Sequence, residues 1–420
     1  MTVRGTLRVP GDKSLSPRAL IFGALSAGRS RIRDVLLGAD VQSTAGVLRA
    51  LGADVPPLSD DIMFTGVGVR GLTAPVSALD CGNSGTTTRL IAGVVAGHPI
   101  TATFTGDASL SRRPMRRVAA PLSAMGATVV FASADGLPMT VSGGTLHATA
   151  WRTETASAQV KSAILLAALC GGVDVTVDEP SPSRDHTERM LHALGADIDV
   201  ASTRVTLRPA TALRPLDIRI PADPSSAAFF AALAALTGGE IELADVCLNP
   251  TRTGFFRVLE RMGAPVRYDD LRDEGGEPVG TVRVGGGALR GVDIGGAEIP
   301  TMIDELPLLA CVAAMADGET TVRDAGELRG KESDRIAAVV ANLRAIGVDA
   351  EERPDGFRVG GAPRGRRPQA ARVVTHGDHR VAMAFGVLGA ATGCAIEVDD
   401  PACVAVSYPG FWQDLARMQR

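Results

Sequence analysis

The chain lacks the features that mark several classes of protein. Only 4% of its 420 residues are aromatic and its net charge is −4, which indicates neither the stacking platform nor the basic face of a nucleic-acid-binding protein. No apolar run approaches the roughly 20 residues of a membrane span, and the first residues have no signal-peptide core. Its six cysteines are scattered without a Cys-x-x-Cys pair, which argues against a zinc site or a disulfide framework. We therefore expect a cytoplasmic globular protein that binds no metal, nucleic acid or membrane.

Lysine is scarce as well. Among 43 basic residues the lysines are Lys13, Lys161 and Lys331 alone. Arginine cannot reproduce the compact ammonium charge of lysine, so a chain that otherwise uses arginine has kept lysine at three places. Either these three are accidental or their positions have a function, and their location decides between the two.

Repetition is what the chain has in abundance. Small apolar helical segments end at glycine at intervals of about 70 residues, each followed by strand-like residues, and a more amphipathic helix interleaves with them. The length suits two domains of roughly 200 residues, so we expect three repeats in each domain and six in all. The pattern predicts an α/β fold; a solenoid or a doubly wound sheet is the alternative, but such units are large for common solenoids. The six glycines that end the apolar helices are Gly28, Gly97, Gly171, Gly238, Gly318 and Gly393.

Basic residues gather where the predicted helices begin. A helix start presents unpaired N–H groups and the positive end of the helix dipole, so it suits phosphate or carboxylate. A lone Ser or Asn there is more often a cap, but a cap needs no cation within one turn. Asp304 and Glu332 are the carboxylates best placed beside these cations to act as a general base. The cations that predict a site for ligands with several negative charges are Lys13, Arg18, Arg89, Arg113, Arg184, Lys331, Arg335 and Arg380.

Eight segments of the chain resemble those of the 5-enolpyruvylshikimate-3-phosphate (EPSP) synthase family of enolpyruvyl transferases, in the family's order and spacing between residues 5 and 410. The resemblance implies a two-domain inside-out α/β barrel, with three βα repeats per domain and helix starts facing the interdomain cleft. It implies a continuous domain over 13–225, a discontinuous domain of 1–12 plus 226–420, and hinges near 11–13 and 221–225. The segments are GDKSLSPRAL, CGNSGTTTRL, GDASLSRRPM, ASAQVKSA, SRDHTERML, MIDELP, RGKESDRI and GDHRVAMAF.

The same resemblance implies the role of individual residues. Lys13, Asp304 and Glu332 are similar to the family's catalytic residues, with Asp304 and Lys331 at the shikimate hydroxyl and Glu332 transferring a proton. Which of Asp304 and Glu332 is the principal base stays open. The residues similar to shikimate-3-phosphate ligands are Lys13, Ser14, Arg18, Ser157, Ala158, Gln159, Arg184, Asp304 and Lys331. Those similar to phosphoenolpyruvate ligands are Lys13, Gly85, Arg113, Gln159, Arg335 and Arg380.

The implied activity is transfer of the enolpyruvyl group of phosphoenolpyruvate to the 5-hydroxyl of shikimate-3-phosphate, a step toward the aromatic amino acids. Addition gives a tetrahedral intermediate and elimination releases phosphate, with no cofactor, metal or covalent enzyme adduct. A monomer is expected. Val406 stands where some members of the family carry a lysine, so one phosphate contact is absent or supplied otherwise. Gly85 stands where inhibitor-tolerant members carry alanine, which predicts sensitivity to glyphosate.

Three other functions fit the sequence less well. The related transferase that acts on UDP-N-acetylglucosamine has Lys-Asn at the first helix start and a reactive cysteine before Arg113, whereas this chain has Lys13-Ser14 and no cysteine between Gly106 and Arg112. A non-catalytic scaffold of βα repeats gives no reason to gather cations and carboxylates at helix starts. A dinucleotide enzyme would need a glycine-rich turn ahead of a helix, which the glycines near 285 do not provide.

Overall fold

The chain forms two compact units. The computed structural model describes residues 2–133, 135–362 and 368–419. Unit 1 comprises Met1–Pro10, Pro221–Arg272 and Pro278–Arg420, and unit 2 comprises Gly11–Ile220 and Asp273–Glu277. The chain passes from unit 1 to unit 2 after Pro10 and returns after Ile220, while the sequence analysis placed these passages near 11–13 and 221–225. The short stretch 273–277 groups with unit 2, although the sequence analysis kept 226–420 in one piece.

Strands and helices alternate through both units, after an initial strand, β1 (Arg4–Leu7). Those between the two passages are α1 (Leu15–Leu25), β2 (Ala27–Arg33), α2 (Ala39–Ala50), β3 (Asp61–Val67), β4 (Leu79–Asp80), α3 (Gly85–Ala96), β5 (Thr101–Thr105), α4 (Ala108–Ser111), α5 (Arg116–Met125), β6 (Thr128–Phe131), β7 (Met139–Ser142), β8 (Thr149–Arg152), α6 (Ala158–Gly171), β9 (Val175–Asp178), α7 (His186–Ala193), β10 (Ile198–Ala201), β11 (Arg204–Leu207) and β12 (Asp217–Arg219).

The rest of the chain continues the pattern, with short 3-10 turns at Gly296–Thr301, Ile303–Glu305, Gly326–Gly330 and Pro401–Val406. Its helices and strands are α8 (Pro224–Thr237), β13 (Glu240–Cys247), α9 (Gly254–Arg261), β14 (Val266–Glu274), β15 (Glu277–Gly285), β16 (Asp293–Ile294), α10 (Leu306–Ala313), β17 (Glu319–Val322), α11 (Arg335–Ala345), β18 (Ala350–Arg353), β19 (Gly356–Gly360), β20 (Ala371–Val373), α12 (His379–Thr392), β21 (Ile396–Val398) and α13 (Phe411–Met418).

One sheet order recurs in both units. Two parallel strands, joined through an apolar helix, lie beside an antiparallel hairpin, as in β4-β5-β7-β6, β8-β9-β11-β10 and β16-β17-β19-β18. At each of the two passages, the strand that precedes the next apolar helix pairs with a strand of the unit that the chain has just left, which exchanges the leading strands of the two units. β1 precedes α1 but pairs in parallel with β13 of unit 1, with Arg4 opposite Glu240. β12 precedes α8 but pairs in parallel with β2 of unit 2, with Asp217 opposite Arg31.

Apolar helices form the core of each unit. In α6 every residue from Val160 to Cys170 is buried, as expected for a helix that is apolar on all sides. α3 packs on α1 and α6 in unit 2, and α8, α10 and α12 pack on one another in unit 1. The approach of α3 to α6 requires glycine at Gly93, because a Cβ there would lie 2.1 Å from the carbonyl oxygen of Ala163. Each unit therefore holds three apolar helices, and predicted functional residues lie at the starts of α1, α3, α6, α10 and α12.

Two of the amphipathic helices begin later than their prolines predict. Proline is favoured in the first turn of a helix, so Pro114 and Pro250 predict helix starts at those positions, but α5 begins at Arg116 and α9 at Gly254. For α5 the cause is a distant carboxylate, because Asp135 Oδ1 accepts hydrogen bonds from the N–H groups of Met115 (2.7 Å) and Arg116 (3.0 Å). This capping group lies well beyond the helix in sequence, so no local pattern predicts it.

Candidate active site

The start of α1 brings Lys13 and Ser14 to the surface of unit 2. Asp12 Oδ1 accepts hydrogen bonds from the N–H groups of Ser14 (2.6 Å) and Leu15 (2.8 Å), while the Ser14 side chain makes no capping bond. Lys13 Nζ lies 3.1 Å from Asp40 Oδ2 at the start of α2. Asp12 therefore caps the helix, and Asp40 orients the ammonium group beside it.

Arg18, one turn into α1, ties three helices together. Its side chain is buried, and Nε donates to Thr187 Oγ1 of α7 at 2.9 Å. One terminal nitrogen donates to the Ser14 carbonyl (2.8 Å) and the other to Ser162 Oγ of α6 (3.1 Å). The guanidinium is thus fixed among the starts of α1, α6 and α7, which the sequence analysis assigned to one anionic ligand.

Two guanidinium groups flank the start of α3. Arg113 donates to Asn83 Oδ1 at 2.6 Å, and Arg89 donates to Gln159 Oε1 at 2.6 Å. A Cβ on Gly85 would lie 2.8 Å from a terminal nitrogen of Arg89 and 3.4 Å from one of Arg113. Both cations therefore stand directly against the backbone of the first helical residue, where its N–H groups and dipole already favour an anion.

The start of α6 places Ser157 as the residue before the helix and Ala158 and Gln159 in its first turn. Gln159 Nε2 donates to Thr86 Oγ1 of α3 at 3.0 Å, which joins the two helix starts. Arg184 is half-buried and precedes α7 by two residues. Lys161 differs from the other lysines, because its ammonium lies inside unit 2 between two buried glutamates.

In unit 1 the start of α11 holds a buried arginine among three carboxylates. The Arg335 guanidinium donates to Asp378 Oδ2 (2.8 Å), Glu332 Oε2 (2.7 Å) and Asp304 Oδ1 (3.2 Å). Burial alone would lower the pKa of Arg335, but Asp378, Glu332 and Asp304 outweigh it and raise that pKa above its usual range. Lys331 Nζ lies 3.7 Å from Asp304 Oδ1. Asp304 therefore faces two cations.

Arg380 in the first turn of α12 has a different environment. Its side chain is buried, and one terminal nitrogen has no hydrogen-bond partner among the described residues. Its backbone N–H donates to Asp378 Oδ1 at 2.9 Å, so Asp378 caps α12 while it also holds Arg335. A buried cationic donor without a partner costs free energy, which an anionic ligand would recover.

The predicted site residues fall into one group in each unit. The group of unit 2 is Lys13, Ser14, Arg18, Gly85, Arg113, Ser157, Ala158, Gln159 and Arg184. The group of unit 1 is Asp304, Lys331, Glu332, Arg335 and Arg380. The order Lys331-Glu332-Ser333-Asp334-Arg335 could also form a surface helix held by i,i+4 ion pairs, but Lys331 and Glu332 precede α11 rather than lying in it, so that interpretation is wrong.

Sequence reasoning missed four acidic residues that hold these groups in place. Asp12 and Asp378 lie one and two residues before predicted site residues, so their capping positions were a usable signal. Asp40 and Glu179 lie in other segments and left no local signal. Val406 ends a 3-10 turn and is half-buried, and its apolar side chain offers no cation to a phosphate.

The described ranges 2–133, 135–362 and 368–419 offer neither a metal-binding cluster nor a membrane-spanning helix. They contain no group of three or more His, Cys, Asp or Glu side chains arranged to hold a metal ion. Nor do they contain a helix of the length and apolar character that a membrane span requires.

Comparisons with known proteins agree over the whole length. A family model described as EPSP synthase (3-phosphoshikimate 1-carboxyvinyltransferase) matches residues 1–415. The chain is 46% identical over 425 residues to the 3-phosphoshikimate 1-carboxyvinyltransferase of Sulfurihydrogenibium sp. (strain YO3AOP1), covering 100% of this chain and 98% of the relative. It is 49% identical to that of Parvibaculum lavamentivorans, covering 97% and 92%.

A solved structure is similar as well. The EPSP synthase of Acinetobacter baumannii superposes with a TM-score of 0.87 at 39% identity, covering 99% of this chain and 95% of that one. This similarity confirms the predicted fold class, the two-domain α/β architecture of the enolpyruvyl transferases with six βα repeats.

Proposed function

The chain belongs to the EPSP synthase family, the 3-phosphoshikimate 1-carboxyvinyltransferases, and from this we propose how its residues perform the transfer. The predicted membership of this family and the predicted class of enzyme, a 3-phosphoshikimate 1-carboxyvinyltransferase, are confirmed. The enzyme moves the enolpyruvyl group of phosphoenolpyruvate to shikimate-3-phosphate. The observation that carries the assignment of roles is the convergence of Asp304, Glu332 and Lys331 around the buried Arg335.

We propose that shikimate-3-phosphate is held chiefly by cations and hydroxyls at the starts of α1, α6 and α7. Arg18 already bridges these helices through Thr187 and Ser162, so its guanidinium is preorganised. The proposed ligands are Lys13, Ser14, Arg18, Ser157, Ala158, Gln159, Arg184, Asp304 and Lys331.

For phosphoenolpyruvate we propose Lys13, Gly85, Arg113, Gln159, Arg335 and Arg380. Its carboxylate and phosphate require several positive groups, and arginine pairs with both through parallel N–H donors. Two observations support this assignment: one terminal nitrogen of Arg380 has no hydrogen-bond partner within the described part of the chain, and the guanidinium of Arg113 lies beside Gly85.

In the proposed mechanism the 5-hydroxyl attacks C2 of phosphoenolpyruvate while C3 gains a proton. Asp304 accepts the hydroxyl proton, with Lys331 beside it, and Glu332 delivers the proton to C3. In the second half a C3 proton returns to Glu332 and the C2–O bond to phosphate breaks, which restores the C2–C3 double bond, while the departing phosphate takes up the proton held by Asp304. Lys13 stabilises the charge that develops on the departing phosphate. The balance of bonds and protons closes without a cofactor.

The first test is phosphate release with both substrates and with each alone. We expect release only with both; release from phosphoenolpyruvate alone, or none at all, would reject the proposal.

In deuterated water the wild type should introduce deuterium at C3 of recovered phosphoenolpyruvate. Glu332→Gln should abolish this exchange, and an exchange that persists would remove Glu332 from the proton-transfer role.

We also propose the finer features that the sequence predicted. The two units would be the catalytic domains, with hinges near 11–13 and 221–225, and the enzyme would act as a monomer in the cytoplasm, without nucleic acid or membrane. Sedimentation of purified protein tests the monomer, since a mass above 43.3 kDa would contradict it. Glyphosate, an anionic inhibitor, would compete with phosphoenolpyruvate beside Gly85.

A further inference from the structure

Lys161 is the lysine that the proposed mechanism does not use. Its Nζ lies 2.6 Å from Glu179 Oε2 and 2.7 Å from Glu188 Oε1, and all three side chains are almost fully buried. A buried ammonium needs compensation by opposite charge, which the two carboxylates supply. The cluster lies directly behind the start of α6, in unit 2.

Glu179 contributes more than charge to this cluster. Its Oε1 accepts a hydrogen bond from the backbone N–H of Ser157 at 3.0 Å, and its Oε2 accepts one from Ser183 Oγ at 2.8 Å. Ser157 immediately precedes α6, and Ser183 is the neighbour of Arg184. One carboxylate thus ties together two segments that are separate in sequence and that both carry proposed ligands of shikimate-3-phosphate.

We propose that Glu179, fixed by Lys161, is a positioning residue for shikimate-3-phosphate that sets the separation between Ser157 and Arg184. The inference rests on the proposed function of those two residues. Glu179 itself lies behind the ligands, so its effect is on the geometry in which they meet the substrate. A displacement of either segment by a fraction of an ångström weakens several bonds to one ligand together.

The hydrogen-bonding pattern requires a carboxylate at this position. Both oxygens of Glu179 accept, from the Ser157 N–H on one side and from Lys161 and Ser183 on the other. A glutamine offers one oxygen and one NH₂ group, so in either orientation a donor would face a donor. Glu179→Gln therefore keeps the shape of the side chain but breaks one of the two links.

The test compares steady-state constants for Glu179→Gln and the wild type. We expect the KM for shikimate-3-phosphate, and its Kd by calorimetry without phosphoenolpyruvate, to rise about tenfold or more, the loss of one charged hydrogen bond. The KM for phosphoenolpyruvate and kcat at saturation should change less than about threefold. The matched control is Asp178→Asn, the same chemical change one residue earlier in an exposed pair with Arg204, which should leave every constant unchanged.

Ser183→Ala keeps the test decisive if Glu179→Gln does not fold. It removes one bond to Glu179 while Lys161 stays paired, and we expect a smaller rise confined to shikimate-3-phosphate. An unchanged affinity for shikimate-3-phosphate in Ser183→Ala, or an equal loss for both substrates, would overturn the proposal. Failure of the proposed function is distinguishable, because then the wild type itself would not release phosphate from the substrate pair.

Discussion

Arg335 and Asp378 form a two-point contact inside unit 1, with Nε 2.8 Å from Oδ2 and a terminal nitrogen 3.3 Å from Oδ1. Asp378 Oδ1 also accepts the backbone N–H of Arg380. The same carboxylate therefore neutralises one buried guanidinium and fixes the backbone of a second. The two arginines differ in their side-chain partners, and this difference separates the effects of removing each.

We predict that Arg380→Met leaves the ligand-free protein as stable as the wild type, or more stable. The substitution removes a buried guanidinium that has a partnerless nitrogen among the described residues. The KM for phosphoenolpyruvate should rise about tenfold or more, since a charged hydrogen bond is lost. Thermal unfolding without substrate and steady-state kinetics provide the two measurements.

Arg335→Met is the matched comparison for Arg380→Met. It leaves Asp304, Glu332 and Asp378 without their shared cation, at a cost of about 3–5 kcal/mol of stability. Equal melting temperatures for the two variants would show that the two buried arginines are electrostatically equivalent, contrary to the structure.

Glu332→Gln should lower kcat by about 100-fold or more, because general acid–base catalysis contributes on the order of 10²–10⁴-fold. The KM values should change little, since glutamine still accepts from Arg335. Stopped-flow or coupled phosphate assays at saturating substrate measure the effect. Glu298→Gln, at an exposed carboxylate paired with Arg261, is the control and should keep full activity. A decrease in kcat of less than tenfold would contradict the proton-transfer role of Glu332.

Gly85→Ala should weaken phosphoenolpyruvate binding by on the order of tenfold, because the new methyl group displaces the guanidinium groups of Arg89 and Arg113. Inhibition by glyphosate should weaken in parallel, in the direction that the sequence analysis expected. The control is Gly46→Ala in α2, where a Cβ meets nothing within 4 Å and helix propensity improves. If both variants keep wild-type affinity, the helix start beside Gly85 does not bind the substrate.

Lys161→Met should destabilise the protein by about 3–5 kcal/mol near neutral pH, because it leaves Glu179 and Glu188 buried without their cation. Burial alone would lower the pKa of Lys161, but Glu188 and Glu179 outweigh it and raise that pKa. A raised pKa means that the wild type keeps this stabilisation below the ordinary lysine value and loses it as pH rises beyond.

Chemical denaturation of Lys161→Met and the wild type at several pH values tests this prediction. The difference between the two free energies of unfolding should shrink above a pH of about 10.5. The double variant Lys161→Met/Glu188→Gln should recover part of the loss, because one uncompensated carboxylate is removed. A constant difference across the alkaline range would contradict the assignment.

The sequence sufficed for the parts of this protein that are local or repeated. Glycines such as Gly238 and Gly393 do end apolar helices in the left-handed conformation, and the polar and basic residues ahead of those helices could be read directly. The order and spacing of the family segments then carried the fold class and the activity.

Long-range contacts set the limit of sequence reasoning. Asp135 caps a helix that begins at Arg116, and Glu179 bonds to Ser157, across stretches whose folding no local pattern specifies. The run 269–277 has the acidic composition that is typical of a solvated loop, but it continues β14 and opens β15, and Glu277 is buried beside His186 (Oε1 to Nδ1, 2.7 Å). The acidic composition predicts exposure to solvent, but Glu277 is buried because it pairs with His186 from another part of the chain.

The exchange of the leading strands also orders events during synthesis. The partner strand of β1 begins only at Glu240, so at about 5–20 residues per second β1 waits unpaired for roughly 10 to 50 seconds. Every strand of the β12-β2-β3 sheet has emerged by Arg219, before α8 is made. Translation thus favours assembly of the Gly11–Ile220 part of unit 2 first, while β1 is among the last strands to find its partner.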